Sequence, residues 1–127
     1  MQTSMIAALL TALMSINAHG AEASLPKKFH GDWSFSPGNC HSKIIENDGG
    51  VRITASSLLA FKDACQVVRI VEDKGYAIKA LFQCEQTDLS AQRTITLKLG
   101  TDAARLRLDD THLFRCEAVP PRAAAGN

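Results

Sequence analysis

A surplus of charge of one sign is the first thing this sequence lacks. Its 127 residues carry 14 Lys and Arg against 13 Asp and Glu, a formal net charge of +1, with the two signs interspersed. Without a basic stripe there is no electrostatic footprint for nucleic acid or for an anionic membrane. A long hydrophobic run is lacking too. The most apolar stretch, Met5 to Ile16 (MIAALLTALMSI), is too short to cross a bilayer as a helix. No G-x-S-x-G, H-E-x-x-H, P-loop or Gly-rich dinucleotide fingerprint occurs, so no standard catalytic or cofactor motif is present. No pair of cysteines stands as C-x-x-C, which argues against a zinc site. There is no internal repeat. The expectation is a non-enzyme with no cofactor and no metal.

What is present begins with the apolar run. Small residues follow it at signal-peptidase spacing, Ala18-His19-Gly20 and then Ala21-Glu22-Ala23. Residues 1–20 therefore read as a secretory signal peptide, cut before Ala21 or, in the second frame, before Ser24. The run departs from the usual pattern in having no Lys or Arg ahead of it. A buried or amphipathic N-terminal helix is the competing reading, and a run apolar on every face speaks against it. No cysteine stands at the cut, so no lipid anchor is expected, and the mature chain should be soluble in the periplasm or outside the cell. A mature chain of about a hundred residues suits one domain. Its cysteines are Cys40, Cys65, Cys84 and Cys116, and an even number in a short exported chain points to disulfides. His41 beside Cys40 is the one hint of a ligand pair.

Alternation dominates the remaining sequence. Gly31, Trp33 and Phe35 share parity, as do Ile95, Leu97 and Leu99, and Leu106 and Leu108. Asp32, Ser34, Thr94, Thr96, Lys98, Arg105 and Arg107 fill the slots between them. Turn signals interrupt these runs at Pro37-Gly38-Asn39, Asn47 to Gly50, Asp73-Lys74-Gly75, Gly100-Thr101 and Asp109-Asp110-Thr111. This is the pattern of a meander of short antiparallel strands. Ala55 to Ala64 (ASSLLAFKDA) is open between a strand and a helical turn. Residues 21–28 form an N-terminal arm, residues 29–117 the β domain, and residues 118–127, in which Pro120-Pro121 cannot join a ladder, a flexible tail.

Two hairpins can be given a register. A two-residue turn at Asp48-Gly49 sets Ile44 opposite Ile53 and Ser42 opposite Ala55. A two-residue turn at Lys74-Gly75 sets Ile78 against Val71, Phe82 against Val67, and Cys84 against Cys65. Cysteines directly opposite on antiparallel strands have Cα atoms about 5.5 Å apart or less, within disulfide reach. Val67, Val71, Ile78, Ala80 and Phe82 then share the cysteine face, with Arg69 a misfit that suggests a bulge. Cys40 and Cys116 remain as the other pair; Cys40–Cys65 with Cys84–Cys116 is the rival connectivity. A Cys40–Cys116 bridge would join the first strand to the last and remove both sheet edges, which favours a barrel. The expected fold is thus all-β: a small, mostly antiparallel meander barrel of about eight short strands tied by two disulfides, with Trp33 supplying bulk at one end of its core. Leu, Ile, Phe and Trp pointing inward should fill the interior, leaving no large ligand cavity.

The stretch LPKKFHGDWSFSPGNC, from Leu25 to Cys40, together with a terminal HLFRC, resembles a family of small exported bacterial proteins. Their pattern P-x-x-F-x-G-x-W…C and aromatic-Arg-Cys end falls on Pro26, Phe29, Gly31, Trp33, Cys40 and Phe114-Arg115-Cys116. The resemblance implies no established activity and supports the pairing of Cys40 with Cys116, Cys65 and Cys84 being an added pair. More distantly, Leu25, Gly31, Trp33 and Cys40 are similar to the periplasmic inhibitors of secreted metalloproteases, which implies a plug at Ala21 to Lys28. The G-x-W opening is also similar to the lipocalins, whose barrels carry small apolar ligands. Two functions follow as expectations. The first is an exported binding protein that recognises another exported protein, as an inhibitor does, through Leu25, Pro26, Lys27 and Lys28 or through Arg105 and Arg107 on the outward stripe. The alternative is a carrier of a small apolar ligand. His30, His41 and His112 are expected to be solvated loop residues, and Asp109-Asp110 a turn; a small hydrolase would need a histidine joined to Asp32 or Asp110. The oligomeric state is left open.

Overall fold

A computed structural model describes residues 23–116; the signal-peptide reading of residues 1–20 and the tail at 118–127 lie outside them. A 3-10 turn at Lys27–Phe29 leads into β1 (Gly31–Ser34), β2 (Gly50–Ile53), β3 (Ser57–Ala60), β4 (Asp63–Asp73), β5 (Ala77–Gln86), β6 (Leu89–Leu99), β7 (Arg105–Leu108) and β8 (Thr111–Arg115). Each strand pairs antiparallel with the next, and β1 pairs with β8 through Trp33 opposite Arg115 and Ser34 opposite Phe114. The result is a closed eight-stranded meander barrel. Two disulfides tie it, Cys40–Cys116 with Cα atoms 5.6 Å apart and Cys65–Cys84 at 3.9 Å. Bridges of this kind belong to an oxidising compartment. No helix among the described residues is long and apolar enough to cross a membrane.

Parity translates directly into burial. Ile78, Ala80, Phe82 and Cys84 of β5 are buried, as are Ile95, Leu97 and Leu99 of β6, and Trp33 is fully enclosed. On the outer face Asp32 and Arg52 stand opposite each other, and Arg52 Nε donates to Asp32 Oδ1 at 2.7 Å. That hydrogen bond raises the guanidinium's already high pKa. Ser34 departs from the outward slot its parity gives it. It is fully buried, and its hydroxyl donates to Ser36 O at 2.6 Å at the strand's end, so one polar side chain is satisfied within the chain.

The Asp48-Gly49 hairpin does not form. The chain from His41 winds through successive turns instead, with Asn47 N–H donating to Lys43 O at 3.0 Å and Gly49 N–H to Ile44 O at 2.8 Å. These turns bury Ile44 completely, and burial of that side chain outweighs strand pairing. Ile53 accordingly faces Gly31, and Val51 faces Trp33. The stretch from Ala55 to Ala64 resolves into β3 and the start of β4 around a tight turn at Phe61-Lys62, where Lys62 takes φ +59°. A similar turn at Thr87-Asp88 joins β5 to β6. Neither turn contains glycine or proline, the residues that mark turns in sequence.

The β4–β5 hairpin has the expected cysteine register, reached by another route. Cys65 lies opposite Cys84 and Val67 opposite Phe82, but the ladder shifts between Val67 and Arg69 and again between Ile70 and Glu72. Asp73 rather than Val71 nears the turn, opposite Ile78, and Lys74 N–H donates to Ala77 O, so the turn is centred on Gly75-Tyr76. Val68 and Val71 are the extra residues and are exposed; Ile70 takes the core contact expected of Val71. Two one-residue bulges offset a turn displaced by one position, and the cysteines meet.

Candidate functional site

In a meander the connections alternate between the two ends of the barrel. The 3-10 turn closes the end where β1 begins. Leu25 and Phe29 are fully buried there, Leu25 N–H donates to Ala55 O at 2.7 Å, and Trp33 Nε1–H donates to Phe29 O at 3.0 Å. His30 Nε2 lies 2.7 Å from Leu25 O and, as the N–H tautomer, braces the same segment. The described part of the N-terminal arm is therefore a cap, and Leu25 is a core residue with no surface to offer a partner. Hydrophobic burial explains the difference: a leucine beside an open barrel end is more stable inside it than in water.

The opposite end, bounded by the β1–β2 connection and the turns at Phe61-Lys62, Thr87-Asp88 and Asp109-Asp110, has no such cap among the described residues. A cavity of about 250 Å³ opens there. Val51, Leu58, Ile95, Leu108 and Leu113 line it with apolar surface contributed by five strands. Phe35, exposed over 40% of its surface, and Ala60 also line it. The interior is thus filled at the capped end, as expected, and hollow at the mouth, where the sequence reading placed no cavity. β7 pairs with β6 only from Leu97 to Leu99, so β6 runs on past the β7–β8 turn at this end and leaves the gap.

Three charged side chains line the cavity. Arg93 Nη2 donates to Asp63 Oδ2 at 2.8 Å and sits 3.4 Å from Cys65 Sγ. Asp63 keeps only 16% of its side chain exposed against 45% for Arg93, so the carboxylate is the more enclosed partner. Asp109, at φ +49°, accepts Thr96 N–H at Oδ1 at 2.9 Å, while its own N–H donates to Thr96 O at 2.8 Å. Asp63, Cys65 and Cys84 place their polar atoms within 4.8 Å of one another, but the two sulfurs are joined and have no thiolate to give a metal.

No protein-family model, curated protein or solved structure matches the chain.

The residues singled out as partner contacts are scattered around the capped end and the outer face. Lys27 and Lys28 are exposed and Pro26 is half-buried. Arg105 lies 5.7 Å over the Phe114 ring, and Arg107 pairs with Asp110 at 3.5 Å. None of the six lines the mouth cavity. Among the described residues, no histidine has a hydrogen bond or ion pair with a carboxylate. His112 stands opposite Arg107 on the outer face. Asp63 and Arg93 were passed over in sequence, yet the signal is there: Arg93 shares parity with Ile95, Leu97 and Leu99, and Asp63 with Cys65. Extending each inward set by one residue toward the turn places both charges inside the barrel.

Proposed function

We propose that this protein is an exported, non-enzymatic binding protein that holds a small, largely apolar molecule in the open end of its barrel, in the manner of a carrier. The observation that carries the reading is the apolar mouth cavity, rimmed by a few charged groups, in a barrel whose other end is capped. Concave apolar sites with a few polar groups are the usual form of small-ligand sites, which run to roughly 300–1,000 Å³. At about 250 Å³ this one suits a compact ligand, larger than the benzene that occupies cavities of about 150 Å³. Export to the periplasm or beyond rests on the apolar leader and accords with both disulfides.

Inhibition of another exported enzyme by an N-terminal plug has less support. A plug needs the segment up to Lys28 free, whereas Leu25 is buried and hydrogen-bonded to Ala55. The test is titration with the neutral fluorescent probe N-phenyl-1-naphthylamine, alongside native mass spectrometry of protein purified without detergent. The wild type should enhance probe fluorescence, and Ala60→Trp and Thr111→Trp, which fill the cavity from different strands, should each weaken binding about tenfold or more, about 1.4 kcal/mol. Equal probe binding by the wild type and both folded variants would remove the proposal.

A further inference from the structure

The charges around the mouth are unbalanced. Two acids and one base line the cavity, a surplus of one negative charge. The charge of Arg93 is offset by Asp63, which accepts from its Nη2 at 2.8 Å. Asp109 is the uncompensated group. Two contacts with Thr96 hold it, one from its backbone N–H and one to Oδ1. Among the described residues no donor reaches its second carboxylate oxygen. A carboxylate fixed by its backbone at the rim of an apolar cavity favours a cation whose hydrocarbon part enters the cavity.

We infer that the ligand of this cavity carries a protonated amine on its polar end, paired with Asp109, behind a compact apolar body. The inference rests on the small-ligand reading above and narrows it to a chemical class. The same charges disfavour the simplest alternative, a carboxylate-headed ligand. Such a ligand could reach the Arg93 nitrogens that Asp63 leaves free, but it would bring a third negative charge beside Asp63 and Asp109.

The experiment is displacement of N-phenyl-1-naphthylamine by three molecules of one shape, 4-phenylbutylamine, 4-phenylbutanol and 4-phenylbutyrate, at pH 7 and low ionic strength. An exposed pair is a weak one, so the amine should bind about threefold more tightly than the alcohol and the carboxylate about threefold more weakly. The amine's advantage should shrink in high salt. Asp109→Asn keeps an oxygen for Thr96 N–H and a residue type at ease with positive φ, and should bring the amine and carboxylate to near-equal affinity. Asp110→Asn alters a neighbour whose side chain is 99% exposed and outside the cavity lining, and should keep the wild-type order. Carboxylate binding as tight as the amine, or an equal effect of both substitutions, would overturn the inference and leave the cavity as a ligand site. Failure of all three molecules to displace a bound probe would remove the inference and leave the ligand site standing, whereas a wild type that does not bind the probe would remove both.

Discussion

The Arg115 guanidinium lies 4.2 Å over the Trp33 ring and donates in three directions: Nε to Ala103 O at 2.8 Å, Nη1 to His30 O at 3.1 Å and Nη2 to Lys28 O at 2.7 Å. One side chain thus ties the last strand to the N-terminal cap, to the β6–β7 loop and to the core tryptophan. Arg115→Ala should lower unfolding free energy by about 2–3 kcal/mol in a urea titration, since charged hydrogen bonds and a cation–π contact are lost together. Arg115→Lys should recover less than half of that, because an ammonium cannot present the planar fork. A lysine variant as stable as the wild type would contradict this assignment. Gly50 is constrained by space rather than by φ. A Cβ there would overlap the Trp33 carbonyl oxygen and stand 2.8 Å from Ile44 Cδ1. Gly50→Ala should therefore cost more than about 3 kcal/mol, read as a lower thermal midpoint or as loss of soluble protein. Parity alone put Trp33 inside. It could not show Arg115 over the ring, because that contact needs β8 to lie beside β1.

At the scale of elements, the β4–β5 hairpin shows how register can be read correctly from an incorrect turn. Cys65 meets Cys84 because Val68 and Val71 each take up one residue between the turn and the bridge. Deleting Val68 should move Cys65 out of line with Cys84 and change its facing, since strand side chains alternate. The expected result is two reactive thiols in a denaturing thiol assay, where the wild type has none among the described residues. A deletion variant that still forms Cys65–Cys84 would show that the ladder can absorb the slip. The bulges have a second consequence. β3 pairs with β4 only as far as Gln66, so the rest of β4 presents an edge among the described residues. Bulges and the charges of Arg69, Glu72 and Asp73 make that edge a poor template for another strand. The hairpin at Asp109-Asp110 was legible from its turn residues, whereas those at Phe61-Lys62 and Thr87-Asp88 were not, because tight turns tolerate residues other than their commonest ones.

For the whole molecule, closure is the governing event: β1 joins β8 beside a bridge between residues 76 apart in sequence, while the second bridge spans 19. In the loop-entropy account the longer bridge stabilises by about 4.5 kcal/mol and the shorter by about 3 kcal/mol. Cys40→Ala with Cys116→Ala should therefore lower stability more than Cys65→Ala with Cys84→Ala, compared by denaturant titration. The reverse order would mean that packing around the buried Cys65–Cys84 bridge matters more than chain closure. The sequence by itself determined the β class, the inward residues of most strands and the meeting of Cys65 with Cys84. Those depend on a two-residue period and on neighbours within one hairpin. Only the tertiary structure decided that Leu25 caps one end, that the other end is hollow, and that Asp63, Arg93 and Asp109 face the same space. Asp63 and Arg93 are 30 residues apart, and nothing local relates them. At the mouth β7 pairs with β6 only from Leu97, whereas β6 runs back to Leu89 beside β5, and that mismatch in length around a closed ring leaves both the cavity and its charged rim.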